Sequence, residues 1–208
     1  MITIVITGPS GSGKSYLCNI LSKLFYNSIV IKTDSYYRDS LLIKILSKFL
    51  YDIYDKPCSI KKREIMNTVR SIQNKERLIL FNNYDFMKRV SSRSINKLKY
   101  NKGNQFLILE GIFAHRLDLN YQETINILCE DSKEICFRRR SKRDQLERGR
   151  KTSEVNKKFN RSWYLFYKHI KFYLNKNNVI SLNPVDENSY NKLVFNLQNI
   201  ANKNNQKK

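Results

Sequence analysis

Apolar and polar residues alternate along the chain with two different periods. Short β-branched runs, typical of strands, occur at Ile2–Thr7, Ser28–Thr33, Arg77–Phe81, Phe106–Glu110, Thr124–Cys129 and Val179–Leu182. Between them, apolar residues recur at helical spacing, as in the four sets Tyr16, Ile20, Leu24; Leu42, Ile45, Leu46, Phe49; Ile60, Ile65, Val69, Ile72; and Trp163, Phe166, Tyr167, Ile170, Leu174. Strands that alternate with helices predict an α/β fold, a mainly parallel sheet flanked by helices.

The chain shows neither an internal repeat nor a Gly/Ser-rich linker, so we expect a single domain over residues 1–200. Residues 201–208 read ANKNNQKK and are expected to form a polar, disordered tail. The four cysteines (Cys18, Cys58, Cys129 and Cys136) form no C-x-x-C pair. The sequence has neither a signal-peptide pattern nor an apolar run of bilayer length, so we expect a cytoplasmic protein without a membrane segment.

The segment that follows the first predicted strand carries the clearest chemical motif. Residues 8–15 read GPSGSGKS and match G-x-x-x-x-G-K-[ST] at every fixed position, with a helical pattern after it. In such a P-loop the glycines turn backbone N–H groups toward phosphate oxygens, the lysine reaches the β- and γ-phosphates, and the serine hydroxyl ligates Mg²⁺. The predicted nucleotide-binding residues here are Gly8, Ser10, Gly11, Ser12, Gly13, Lys14, Ser15 and Tyr16.

Two acidic residues follow predicted strands that should end at the same edge of the sheet. Asp34 comes after the second strand, where a carboxylate can deprotonate an attacking hydroxyl and help to hold Mg²⁺; the alternative is a helix N-cap. Glu110 ends the run FLILE, as a Walker-B-like acid does, and is a candidate ligand of Mg²⁺ through water. The predicted metal set is therefore Ser15, Asp34 and Glu110.

An arginine-rich run after the fifth predicted strand suggests a mobile lid at about residues 138–151. Its six arginines are Arg138, Arg139, Arg140, Arg143, Arg148 and Arg150, in a chain that otherwise prefers lysine. Arginine suits bidentate phosphate contacts, and such a lid stabilises the charge of a transferring phosphoryl group while excluding water.

The formal net charge of +21, from 39 Lys and Arg against 18 Asp and Glu, invites a nucleic-acid reading. The chain is also rich in Lys, Asn, Ile and Tyr, which AT-rich codons favour. Residues 103–137 are acidic overall, so the excess is not uniform. We therefore assign the charge to phosphate binding plus compositional bias and expect no nucleic-acid partner.

The motifs GPSGSGKS, TDSYYR (33–38), DKP (55–57), YDF (84–86), LEGIFA (109–114) and RDQLERGR (143–150) occur together in one order. In this combination the chain resembles the uridine/cytidine kinase family, within the phosphoribulokinase/uridine kinase group of P-loop kinases. The resemblance implies transfer of the γ-phosphoryl group of ATP, or GTP, to the 5′-hydroxyl of uridine or cytidine, with Mg²⁺, and a homo-oligomer, dimer or tetramer.

The resemblance also implies roles for individual residues. Asp34 is the catalytic base, assisted by Lys14, Arg143 and Arg148, and both arginines also contact ATP. Asp55 grips the ribose hydroxyls. The remaining substrate-binding residues are Tyr37, Tyr84, Phe86, Arg89, Arg140 and Arg150.

Three departures from the family pattern fall on the acceptor side. Arg89 replaces a histidine at the base edge, Lys56 replaces the histidine of D-H-P, and Lys158 stands where the family has glutamine. Arginine donates hydrogen bonds and accepts none, so Arg89 favours carbonyl-rich or anionic acceptors. Two alternatives stay open: a kinase of another small alcohol, such as a sugar phosphate or vitamin, and a nucleic-acid-binding NTPase.

Several features do not change this reading. His115 and His169 have no Cys or His partner at metal-ligand spacing, so we expect packing or surface roles. The aromatic stripe Trp163, Tyr164, Phe166, Tyr167 and Phe172 is read as core or subunit interface, and the cysteines as small buried hydrophobes.

Overall fold

The structure, a computed structural model, describes residues 1–25, 28–43, 45, 56–100, 106–117, 119, 124–176 and 178–206. The strands in this part are β1 (Ile2–Thr7), β2 (Ile29–Lys32), β3 (Leu78–Asp85), β4 (Val90–Lys97), β5 (Phe106–Glu110), β6 (Thr124–Cys129) and β7 (Val179–Leu182). The α-helices are α1 (Lys14–Leu24), α2 (Lys62–Gln73), α3 (Lys133–Arg148), α4 (Thr152–Lys176) and α5 (Glu187–Gln206). Short 3-10 turns lie at Thr33–Tyr36, Pro57–Ser59 and Ala114–Leu117.

Five strands form one sheet in the order β2-β5-β1-β6-β7, and every neighbouring pair is parallel. The predicted α/β fold is therefore confirmed. Both central strands, β1 and β5, are buried along their whole length, which explains why they read as continuous apolar runs. Because parallel strands end at one edge, the segments after β1, β2 and β5 meet there.

Helices cover the two faces of the sheet with separate apolar clusters. On one face Ile4, Ile6 and Ile108 pack with α1 and α5, including Leu17 and Leu197. On the other face Val5, Leu107 and Leu109 pack with α2 residues such as Ile65 and Val69. Successive residues of a strand point to opposite faces, so one run of apolar residues serves both clusters.

The third predicted strand lies outside the parallel sheet, although the alternation of strands and helices predicted that it would belong to it. It spans Leu78–Asp85 and pairs antiparallel with Val90–Lys97, a strand that the sequence pattern did not indicate. The second strand reads VSSRSINK, and because this two-stranded hairpin leaves most of that strand exposed, its sequence lacks an apolar alternation. The hairpin is covered on one side by α2 and the 33–36 turn.

Two helical expectations differ in detail from the structure. The buried face of α1 consists of Lys14, Leu17, Cys18 and Leu21, whereas Tyr16 and Leu24 are exposed. Helix α5 continues to Gln206 through the expected polar tail, because Ala201 is buried in the core and anchors it. The apolar pattern at 42–49 falls largely outside the described residues. The helices of the described part of the chain are all too short or too polar to cross a bilayer.

The cysteine and aromatic expectations are met in part. Cys18, Cys129 and Cys136 are buried, and burial raises the pKa of the Cys18 and Cys129 thiols to about 12, so they act as small apolar groups; Cys58 is exposed. On α4, Phe166 is buried and Trp163 packs against Phe159 and Tyr167, but Tyr164 and Phe172 are exposed.

Removing the Phe106 ring should test how far the sheet depends on its first cluster. Phe106 is fully buried and meets Phe25 edge-to-face with 4.9 Å between ring centroids. We expect Phe106→Ala to lower the free energy of unfolding by about 3–5 kcal/mol in urea titrations. The control, Phe195→Ala on exposed α5 surface, should change it by less than about 0.5 kcal/mol. Equal effects of the two variants would contradict this packing.

Candidate active site

The P-loop lies at the end of β1 and leads directly into α1. The Lys14 side chain is buried, and its Nζ donates to the Pro9 carbonyl across 2.9 Å. Gly13 caps α1 with φ of 88°, and no side chain caps the helix. The first N–H groups of α1 and the Lys14 ammonium therefore form a cationic cradle of the kind that binds phosphate.

The loop is packed tightly against the start of α3. Gly11 has φ of 91°, and a Cβ at this position would overlap the Cys136 carbonyl. Arg139 donates from Nη1 to the Gly11 carbonyl at 3.3 Å, and its ion pair with Asp131 measures 2.9 Å. Glycine at position 11 thus allows the phosphate loop and the arginine helix to touch.

Glu110 brings the predicted metal residues together. Its Oε1 accepts a hydrogen bond from Ser15 Oγ at 3.2 Å. Burial raises the pKa of Glu110, Lys14 lowers it, and the nearby Asp34 carboxylate raises it further. Asp34 lies inside the 33–36 turn after β2, not at its N-cap, so the capping alternative does not hold.

Gly111 permits the close approach of these two acids. A Cβ on Gly111 would overlap Thr33 Oγ1 and would lie 2.9 Å from Asp34 Oδ1. The chain after Glu110 therefore passes directly against the turn that carries Asp34. A side chain here would push the two carboxylates apart.

The donor set fits a hard divalent cation. Ser15 contributes a hydroxyl, and Glu110 and Asp34 contribute carboxylates whose mutual repulsion a cation would relieve. Within the described residues no three His, Cys, Asp or Glu side chains converge as a metal cage. Mg²⁺ is commonly held by one or two carboxylates with water and substrate phosphates, and these residues match that pattern.

Arg143 is the predicted lid residue that reaches the P-loop. Its Nη2 donates to Ser10 Oγ at 3.0 Å, which joins the middle of α3 to the phosphate loop. Its guanidinium is also 3.3 Å from Asp144 Oδ1. Arg143 therefore stands beside the phosphate cradle.

Asp144 organises the arginine-rich helix and was not singled out from the sequence. It is fully buried and forms ion pairs with Arg150 at 2.9 Å, Arg143 at 3.3 Å and Arg140 at 3.6 Å. The chain reverses at Gly149 (φ 59°), which brings Arg150 back toward this carboxylate. A single carboxylate forms ion pairs with three guanidinium groups, so this cluster keeps an excess of positive charge next to the P-loop.

Arg140 is buried inside this cluster, whereas other predicted site residues lie elsewhere. Arg140 donates to Ser162 Oγ at 2.5 Å and lies over the Phe159 ring, in a bracing position. Tyr16 is exposed on α1. The Arg148 side chain and Asp55 lie outside the described residues.

The predicted acceptor residues Tyr37, Tyr84 and Phe86 form one aromatic cluster. Their ring centroids are 5.5 Å apart for Tyr37–Tyr84, 5.1 Å for Tyr84–Phe86 and 5.9 Å for Tyr37–Phe86. Tyr37 follows the turn that carries Asp34, and the other two rings come from the end of β3 and the hairpin turn. This arrangement provides an aromatic wall, on the chain segment that follows the Asp34 turn, of the kind that binds a planar ring.

Arg89 lies at the tip of the same hairpin with φ of 55°. The turn is held by the Asp85 carboxylate, which accepts from Met87 N at 2.8 Å and Lys88 N at 2.9 Å. The pKa of Glu154 on α4 is lowered chiefly by its 2.6 Å hydrogen bond from Lys158, and to a smaller extent by the charges of Lys158, Arg150 and Arg89. Arg89 and Lys158, both departures from the family pattern, thus share the neighbourhood of Glu154.

A cleft joins the P-loop to α4. It is lined by Pro9, Ser10, Ile112, Phe113, Ser162 and Phe166. Ser162 was not predicted, because a single serine in a helical pattern gives no functional signal. Asp144 did carry a signal in the sequence, since it is an acidic residue within the arginine-rich run.

Comparison with known proteins agrees with this geometry. The profile of the Phosphoribulokinase / Uridine kinase family matches residues 3–183. The chain is 30% identical over 162 residues to the uridine kinase of Haemophilus ducreyi, covering 74% of this chain and 72% of that protein. It is 27% identical over 161 residues to the uridine kinase of Haemophilus influenzae (strain PittEE), with 74% and 73% covered.

Solved structures show the same fold at low sequence identity. A possible uridine kinase from Bacillus stearothermophilus superposes with a TM-score of 0.56 at 11% identity, covering 86% of this chain and 87% of that one. YFH7 from Saccharomyces cerevisiae gives 0.58 at 9% identity, with 86% and 92% covered. With the profile match over residues 3–183, these findings place the chain in the phosphoribulokinase/uridine kinase family of P-loop kinases, and it is a phosphotransferase.

Proposed function

We propose that the protein transfers the γ-phosphoryl group of ATP to the 5′-hydroxyl of uridine or cytidine. The observation that supports the proposal is that the turn carrying Asp34 packs against Gly111, next to Glu110, and runs on into Tyr37 of the aromatic cluster. Asp34 follows β2 beside Gly111, and Tyr37 three residues later packs against Tyr84 and Phe86. A base at the boundary between a phosphate site and a planar-ring site suits 5′-phosphorylation of a nucleoside.

On the acceptor side, Asp34 would accept the proton of the 5′-hydroxyl as its oxygen attacks the γ-phosphorus. The rings of Tyr37, Tyr84 and Phe86 would pack against the base and fix its orientation. Orientation matters because phosphoryl transfer depends mainly on positioning and on charge stabilisation.

On the donor side, Lys14 and the first turn of α1 would bind the β- and γ-phosphates, and Arg143 would stabilise the equatorial oxygens of the transferring group. Ser15, Glu110 and Asp34 would hold Mg²⁺, directly or through water. When bound, the metal neutralises charge on the phosphate oxygens. The buried Asp144 would keep Arg143 and Arg150 oriented toward this charge.

Arg89 favours a second candidate acceptor. A guanidinium where the family has histidine donates hydrogen bonds but accepts none. A carbonyl-rich or anionic small alcohol, such as a sugar phosphate, would therefore suit this side of the pocket better than a cytosine amino group. A coupled assay of ADP release over uridine, cytidine, other nucleosides and sugar phosphates separates the two candidates, and stimulation by nucleic acid alone would overturn both.

Replacing the proposed base should abolish turnover with little effect on nucleotide binding. We expect Asp34→Asn to lower kcat for the acceptor by about 10²–10⁴-fold, with ATP affinity changed by less than about threefold. The control is Asp39→Asn, which removes a nearby carboxylate that pairs with Lys61 at 3.3 Å. Comparable losses in both variants would mean that Asp34 has no special chemical role.

The hairpin tip should set acceptor preference. We expect Arg89→His to raise the ratio of kcat/KM for cytidine over orotidine, an anionic nucleoside, by about tenfold, since a charged hydrogen bond contributes about 1.5–3 kcal/mol. Histidine tolerates the left-handed backbone at this position. Lys88→His in the same turn is the control, and an unchanged substrate profile in Arg89→His would refute the specificity argument.

The metal dependence of turnover should follow Glu110. We expect Glu110→Gln, an isosteric change, to raise the Mg²⁺ concentration for half-maximal activity by about 10–100-fold. Glu64→Gln is the matched control. It makes the same change on α2, where Glu64 forms a 2.8 Å ion pair with Arg93 of β4. The same Mg²⁺ requirement in Glu110→Gln and the wild type would exclude Glu110 from the metal site.

A further inference from the structure

His115 is buried directly behind the phosphate loop. It lies in the 114–117 turn and is 5% exposed. Its Nδ1 is 3.0 Å from the Oγ1 of Thr7, the last residue of β1 before Gly8. The Thr7 hydroxyl donates its single proton to the Ile112 carbonyl at 3.1 Å. With that proton assigned to Ile112, His115 is the donor in its bond to Thr7, which places the ring proton on Nδ1.

The other ring nitrogen, Nε2, faces the packed interior. No partner for His115 Nε2 lies among the residues that the structure describes. The imidazole ring instead packs against two rings of α4, with centroid distances of 6.0 Å to Phe166 and 5.2 Å to Tyr173. Burial, with smaller contributions from Arg116 and from His169 on α4, lowers the pKa of His115 to about 3, so the imidazole is neutral near pH 7.

Packing and stability alone would favour a different residue here. A phenylalanine has nearly the same shape, could contact Phe166 and Tyr173 in the same way, and would leave no buried polar atom unsatisfied. What the histidine adds is hydrogen bonding: the bond from Nδ1 to Thr7, and an interaction with the Ile112 backbone that opposes the lowering of its pKa. The bond to Thr7 ties the start of the P-loop to the chain segment after Glu110.

The same residues connect this bond to the active site. Phe166, which contacts the His115 ring, lines the cleft together with Pro9 and Ser10 of the P-loop. Ser162 on the same helix is bonded to Arg140. His115 thus touches the end of β1 and the helix that follows the arginine-rich segment, on the inner side of the cleft.

We propose that His115 is a positioning residue: by donating to Thr7 it fixes the P-loop relative to α4 and so sets the phosphate site for transfer. The proposal rests on the proposed function for its activity readout, whereas nucleotide affinity tests it independently of the acceptor.

Two substitutions separate positioning from packing. His115→Phe keeps the ring and removes the donor, whereas His115→Asn keeps a donor near the position of Nδ1 and loses the ring. We expect His115→Phe to raise Tm by about 2–4 °C, to lower kcat/KM at least about tenfold and to weaken ATP binding. His115→Asn should lower Tm yet keep kcat/KM within about threefold of wild type, so stability and activity should change in opposite directions.

The difference in Tm between His115→Phe and the wild type should also depend on pH. The pKa of the His115 imidazole is 6.5 in the unfolded chain and about 3 in the folded one. Between those two pH values only the unfolded chain takes up the proton. The free energy of unfolding of the wild type therefore falls as the pH falls through that range. His115→Phe has no such group, so its Tm advantage over the wild type should widen from pH 7 to pH 5.

His169→Phe, a partly buried histidine on α4, is the control and should leave ATP affinity unchanged. Wild-type kinetics and ATP affinity in His115→Phe, or activities that simply follow Tm across the variants, would overturn the proposal, as would a wild-type chain that binds no ATP. A chain that binds ATP but phosphorylates neither pyrimidine nucleoside would overturn the acceptor assignment alone, and ATP affinity would still decide the role of His115.

Discussion

The strand register around β5 determines where the chemical groups of this protein meet. Glu110 is paired with Ile6 of β1 on one side and with Lys32 of β2 on the other. Consequently the P-loop after β1, Asp34 after β2 and the Glu110 carboxylate all lie at one edge of the sheet. A shift of one residue in β5 would turn Glu110 to the other face and break its bond with Ser15. The apolar side chains that bury β1 and β5 therefore also keep the P-loop and the Glu110 carboxylate in register.

The positive charge of the chain has a local role that its total does not reveal. The buried Asp144 is shared by Arg140, Arg143 and Arg150, and Arg143 also reaches Ser10. Three guanidinium groups around one carboxylate leave positive charge that a bound polyphosphate would neutralise. The carboxylate limits repulsion among the arginines and orients them, so this arginine-rich helix can stay folded without a bound anion.

The sequence predicted the parallel sheet, apart from the third predicted strand, and the strand–loop–helix order of the P-loop, because long apolar runs and fixed motif spacing reflect local constraints. It did not predict β4, whose largely exposed residues carry no apolar alternation, or the buried face of α1. Asp144 pairs with arginines only one to six residues away, so the arginine run carried its signal, and what the pattern left open was its complete burial. The bond between His115 and Thr7 joins residues 108 positions apart, which no local pattern specifies. Contacts of this kind become visible only when the elements are packed together.

The central claim is that the γ-phosphoryl group goes to a nucleoside hydroxyl and not to water. Phosphorus NMR of a reaction containing the protein, Mg²⁺, ATP and uridine or cytidine tests this directly. The account predicts a growing resonance of a nucleoside 5′-monophosphate that matches the ADP formed, with little inorganic phosphate. Equal amounts of ADP and inorganic phosphate, with no phosphate ester, would contradict it.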